Sequence, residues 1–217
     1  TSEEQNENDV KAQSPADIEA GAETQLRLMY TRHMKELKLT GNYLKNKKKK
    51  SEFEQLAYKN IGSFFSEAEK AVQLLAGPQF QERLSYAKKT GELCHGSYNY
   101  HNIIFSNGNT AVTNFDKYKN ECQISDLYQF MRKILEKYDW DIQTAYKMME
   151  EYDKIKPVSD TERALLAALF AFPEKFWKVM NYYFNSNKAW IPPKTKEKLE
   201  KVVQQNEKRQ KFLETLL

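Results

Sequence analysis

With 217 residues, 40% of them apolar and 29% charged, the chain suits one substantial soluble domain whose core needs no staple. No run approaches the roughly 18 apolar residues of a membrane span, and no signal-peptide core is present. The net charge of +4 hides an asymmetry: residues 1–25 carry seven acids against one base, which leaves the remainder at +10.

Seven glycines and six prolines against 13 Tyr, 12 Phe and 3 Trp point to a mainly helical chain with aromatic packing. The opening on Thr1 reads as a processed or excised piece of a longer protein. Residues 1–24 form an acidic lead-in and the start of a first helix. That helix begins at Ser14-Pro15-Ala16-Asp17, an N-cap serine with proline at N1, and is expected to run to Leu39, where Thr40-Gly41-Asn42 interrupts it. After the lysine run at 45–50, Ser51-Glu52-Phe53-Glu54 is a capping box. Phe53, Leu56, Ala57, Ile61, Phe64, Ala68, Val72 and Leu75 continue at helical spacing until Gly77-Pro78. A short helix over 79–89 follows.

The β signal is confined to Asn102–Phe105 and Ala111–Phe115. They are separated by Ser106-Asn107-Gly108-Asn109, a hairpin pattern built on Asn-Gly. Helices then return. Ile124, Leu127, Tyr128, Met131, Ile134, Leu135 and Tyr138 form one stripe, and further helices fit 141–154, 159–170, 173–185 and 194–216.

Between the short helix and the hairpin lies Cys94-His95-Gly96-Ser97-Tyr98-Asn99-Tyr100-His101-Asn102, followed by Thr113-Asn114-Phe115-Asp116. This has the layout of a phosphotransferase catalytic loop and metal-binding strand. Such a loop reads His-x-Asp, four residues, Asn; the Asp accepts the substrate hydroxyl proton and the Asn helps hold a metal. His95 and Asn102 are correctly spaced, but Ser97 stands at the base position and Asn114 at the metal position. An alcohol cannot replace a carboxylate as general base, and Mg²⁺ prefers carboxylates and phosphates to a lone amide oxygen. Asp116, two residues beyond Asn114, would share its face of a strand and could substitute as metal ligand; otherwise it pairs with Lys117 or Lys119 or caps backbone amides. Asp126 either caps the next helix or anchors the loop. Residues 1–90 contain no glycine-rich loop and no strand pattern, so the strand-rich N-lobe of a kinase is not expected in this chain.

Other groupings have plain readings. His95, His101, Cys94 and Cys122 match no zinc spacing and read as packing groups and free thiols. The lysine run reads as a solvated interhelical turn before it reads as a nucleic-acid or polyanion patch. The aromatic block Phe172–Trp190 reads as a helical core stripe, with Trp190-Ile191-Pro192-Pro193 a candidate cleft wall or interface.

The catalytic-loop run, Thr113-Asn114-Phe115-Asp116, Ser125-Asp126-Leu127-Tyr128-Gln129-Phe130-Met131-Arg132-Lys133, Phe172-Pro173-Glu174-Lys175-Phe176-Trp177-Lys178 and Asn181-Tyr182-Tyr183-Phe184-Asn185 together resemble CotS-like spore coat proteins. These belong to the kinase-like aminoglycoside and choline phosphotransferase superfamily. The resemblance covers roughly residues 25–213. It implies the helical C-lobe of a protein-kinase-like fold, mainly α with a small β-hairpin. It also implies a bacterial spore coat component made in the mother-cell cytoplasm, with other coat proteins as partners. Members with an acid where Ser97 stands could keep phosphotransfer; here His95, Ser97 and Asn102 form a degenerate loop. No cofactor is expected on that reading. The alternative is a small-molecule phosphotransferase, its substrate unidentified, in which Asn102, Asn114 and Asp116 hold ATP and Asn102 and Asp116 hold Mg²⁺. An anion-binding helical module built on the lysine run is a weaker third.

Overall fold

The computed structural model describes residues 25–185 and 192–216. The expected helix start at Ser14 and the Trp190-Ile191 wall lie outside the described residues. Helix α1 (Gln25–Asn46) does not stop at Leu39 but continues through Thr40-Gly41-Asn42. A helical glycine costs about 1 kcal/mol relative to alanine. Leu37 and Leu44, fully buried on either side, outweigh it at about 1.5–3 kcal/mol each. Gly41 lies against Ile61 of α2 (Glu52–Leu74), leaving ordinary contact space for a Cβ, 3.7 Å from Ile61 Cδ1.

The capping box forms as the sequence suggests. The Ser51 side chain accepts from the Glu54 N–H, and Glu54 accepts from the Ser51 N–H at 2.8 Å. Helix α3 (Pro78–Thr90) starts on Pro78 and closes on Gly91 in the left-handed conformation. Four further helices follow the strand region up to residue 185: α4 (Ile124–Lys137), α5 (Ile142–Ile155), α6 (Asp160–Ala171) and α7 (Glu174–Phe184). Helix α8 (Lys194–Glu214) closes the described chain.

Helix α6 is the hub. Leu165 to Phe170 are buried without a break, because α2, α3, α4 and α8 all pack against it. Helix α7 lies on α1 and α8. The aromatic block is mainly core: Phe172 stacks on Tyr30, Phe176 on Phe64 and Tyr183 on Phe53. In the lysine run, Lys47 pairs with Glu54 at 2.6 Å and Lys50 donates to the Lys47 carbonyl, so both belong to the turn.

The described strands form two antiparallel pairs. β2 (Ile103–Ser106) and β3 (Asn109–Val112) make the hairpin, Ile103 opposite Val112. Ser106 pairs with Asn109, so the loop is two residues rather than four. Asn107 and Gly108 both take positive φ, as a two-residue turn of this kind requires. The second pair, β1 (Leu93–Cys94) with β4 (Lys119–Asn120), is too short for alternation to reveal in the sequence.

Asn114 and Asp116 do not share a strand face, because β3 ends at Val112. Asn114 turns into the left-handed region (φ 63°), and Phe115–Lys117 is a 3-10 turn. Asparagine tolerates that conformation at low cost, and its amide gains a partner there.

Candidate functional site

The loop between β1 and the hairpin is held from below by α4. Asp126, in the first turn of that helix, accepts the His95 N–H at 2.6 Å and the Gly96 N–H at 3.0 Å. It therefore anchors the loop instead of capping the helix. Gly96 sits at φ 74°, and a Cβ there would lie 1.9 Å from the Lys117 carbonyl oxygen. Only glycine lets the loop and the 3-10 turn approach so closely.

Buried His95 has both ring nitrogens engaged. The Ser97 N–H points at Nδ1 (3.1 Å), so Nδ1 accepts and Nε2 carries the proton it donates to the Thr113 carbonyl (2.8 Å). His95 is a brace between loop and hairpin. It has no nitrogen left for a metal.

Asn102, also buried, closes the same loop. Its amide nitrogen donates to the Ser97 carbonyl at 2.8 Å, and its N–H donates to the Asn99 carbonyl. Because a carbonyl can only accept, this fixes the orientation of the Asn102 side chain, and its oxygen faces the Asn114 amide nitrogen at 2.8 Å. The two positions that carry an amide and a carboxylate in a phosphotransferase are thus a neutral pair bonded to each other. Asp116 is exposed, its carboxylate without a hydrogen-bond partner among the described residues, and Ser97 presents only a hydroxyl.

This donor set fits Mg²⁺ poorly. One of the two lone pairs on the Asn102 amide oxygen is taken by Asn114, and no carboxylate joins the amide pair among the described residues. Among the described residues no three His, Cys, Asp or Glu side chains gather as a metal site.

Beside the loop opens a cleft of about 410 Å³, bounded by Gly96–Asn99, α1, α4 and α7. One wall is a buried network that the sequence did not disclose. Tyr128 donates to Glu174 at 3.0 Å and Tyr30 reaches the same oxygen at 3.4 Å; Arg132 and Lys178 pair with the other. Burial alone would raise the Glu174 carboxyl, but Arg132, Lys178 and the Tyr128 hydrogen bond hold it down at about 2. These residues lie within the aromatic-basic blocks, yet nothing in their spacing distinguishes a buried charge from a surface one.

Cys94 and Cys122 are buried free thiols, and burial pushes them up to about 12 and about 11. Neither has the thiolate character of a nucleophile or ligand.

Residues 22–216 match the family described as "Spore coat putative kinase YutH". The chain belongs to that spore coat kinase family. Its fold is that of a kinase-like phosphotransferase. The crystal structure of an aminoglycoside phosphotransferase from Alicyclobacillus acidocaldarius subsp. acidocaldarius DSM 446 superimposes with a TM-score of 0.82 at 19% identity. The match covers 90% of this chain and 58% of that one, so the chain spans a little over half the length of the enzyme it resembles. No curated protein matches the sequence. No helix among the described residues is long and apolar enough to cross a membrane.

Within this family frame, His95, Asn102 and Asn114 are brought together as their spacing suggested. Asp126 joins them as the loop anchor, and Asp116 stands outside their hydrogen-bond network.

Proposed function

We propose that this protein is a kinase-like component of the spore coat that does not transfer phosphate and works through coat structure and contacts with other coat proteins. The observation that carries the reading is the Asn102–Asn114 amide pair. It closes with a neutral hydrogen bond the two metal-holding positions of a phosphotransferase, one an amide and the other a carboxylate, and leaves no anionic charge at either. Ser97 removes the base as well, so proton acceptance and metal binding are lost together. What survives is the scaffold: the Asp126 anchor, the His95 brace and the hairpin, all serving to keep the loop rigid.

The test is ATP turnover by the full-length protein with and without Mg²⁺, alongside thermal melts with millimolar nucleotide. The expected result is no Mg²⁺-dependent turnover and no nucleotide shift that depends on Mg²⁺. The second reading, an ATP- and Mg²⁺-dependent phosphotransferase of small molecules, rests on Asp116 being exposed and uncommitted. Mg²⁺-dependent turnover abolished by Asn102→Ala or Asp116→Ala would establish it and overturn the first. For the coat role, a fluorescent fusion made in sporulating cells should form a shell around the forespore; diffuse mother-cell signal in mature sporangia would contradict it.

A further inference from the structure

The cleft beside the loop has a charge that the lost chemistry does not explain. Its lining carries five cations and two carboxylates. Both carboxylates are already spent: Glu121 pairs with Lys119, and Glu174 takes Arg132, Lys178 and two phenols. Two lysines lining the cleft, Lys117 and Lys133, have no carboxylate partner among the described residues.

Lys133 is the telling one. It is half-buried on α4, its charge disfavoured by lost solvation and by Arg132, Lys178 and Lys175, with Glu136 opposing them, so its ammonium is held below the usual lysine range. A cation kept in such company gains from an anion more than an exposed lysine does. The Gln129 amide and the Ser97 hydroxyl line the same cleft and have no hydrogen-bond partner among the described residues. Two ammoniums, an amide and a hydroxyl around a space of about 410 Å³ suit a small molecule bearing several anionic oxygens.

We infer that the cleft flanked by Ser97, Lys117, Gln129 and Lys133 is a binding site for a small polyanion, a phosphate ester or a polycarboxylate. The inference concerns binding alone, and it stands whether or not the protein transfers phosphate.

Calorimetric titration of the full-length protein at constant ionic strength tests it, with inorganic pyrophosphate, citrate and, as the opposite charge, spermidine. At least one anion should bind. Lys133→Met should weaken it about tenfold or more, the scale of a charge-assisted hydrogen bond. Lys133→Arg should retain binding, and Lys48→Ala, in the exposed run, should leave it unchanged. An unaltered or higher thermal midpoint for Lys133→Met would show that the fold is intact. The preferred anion separates a phosphate ligand from a carboxylate one. No binding of either anion, equal loss with Lys48→Ala, indifference to Lys133→Met, or tighter spermidine binding would each overturn the proposal.

Discussion

Gly96 and Asp126 together decide whether the loop exists. Alanine at 96 would place its Cβ 1.9 Å from the Lys117 carbonyl oxygen, at a φ that L side chains avoid. Gly96→Ala should therefore cost about 2–3 kcal/mol in denaturant unfolding, as the 3-10 turn is driven off the loop. Asp126→Ala removes the acceptor of two charge-assisted hydrogen bonds and should cost a similar amount, about 2–3 kcal/mol. Amide exchange localises the second effect: His95 and Gly96 should lose protection while the helices keep theirs. At this scale His95, Ser97 and Asn102 were legible because loop chemistry imposes spacing. Asp116 was misplaced because strand alternation was extended past Val112, where a left-handed asparagine ends it.

Helix ends show how distant segments complete one another. The last carbonyls of α6 have no intrahelical donors. Arg209 of α8 supplies them, donating to the Phe170 carbonyl at 2.7 Å and the Ala171 carbonyl at 3.2 Å while its other nitrogen pairs with Glu67 of α2. One buried guanidinium thus ties α2, α6 and α8 together. Arg209→Met should destabilise by about 3–5 kcal/mol, because it leaves a largely buried carboxylate with the neutral Asn206 amide in place of a charged partner, and two carbonyls without their donor. The double variant Arg209→Met/Glu67→Leu should recover part of that loss, and equal stability of single and double variants would argue against the tie. The capping box at Ser51 could be read locally, whereas the Arg209 cap could not: its partners lie 38 and 39 residues away in sequence.

Across the molecule, burial raises the carboxyls of Glu92, Glu162 and Glu174, but paired cations win and leave each depressed. Arg83 is the main counterweight for Glu92 and Glu162, and Arg132 for Glu174. A depressed carboxyl contributes stability that is present above its unfolded value and lost as pH falls through the folded one. For Glu174 that window runs from about 4.5 down to about 2. Glu174→Gln should therefore be less stable than the natural protein at pH 7, with the gap narrowing as pH drops from 4.5 towards 2. Urea midpoints at a series of pH values would check it, and a gap that stayed constant over this range would show that Glu174 does not titrate as described.

The sequence alone determined the helix succession, the hairpin and the phosphotransferase-type loop, because these depend on local periodicity, turn residues and fixed spacing, and its residue runs carried the resemblance to the family. It also showed that two carboxylates are absent. Only the tertiary structure decided what replaced them: the Asn102–Asn114 pair depends on a backbone reversal at Asn114 that places two side chains 12 residues apart in contact. The charge of the cleft was likewise invisible in the sequence. Net charge counts every cation equally, whereas in the cleft ion pairs neutralise Lys119, Arg132 and Lys178, and Lys117 and Lys133 line it with no ion-pair partner among the described residues.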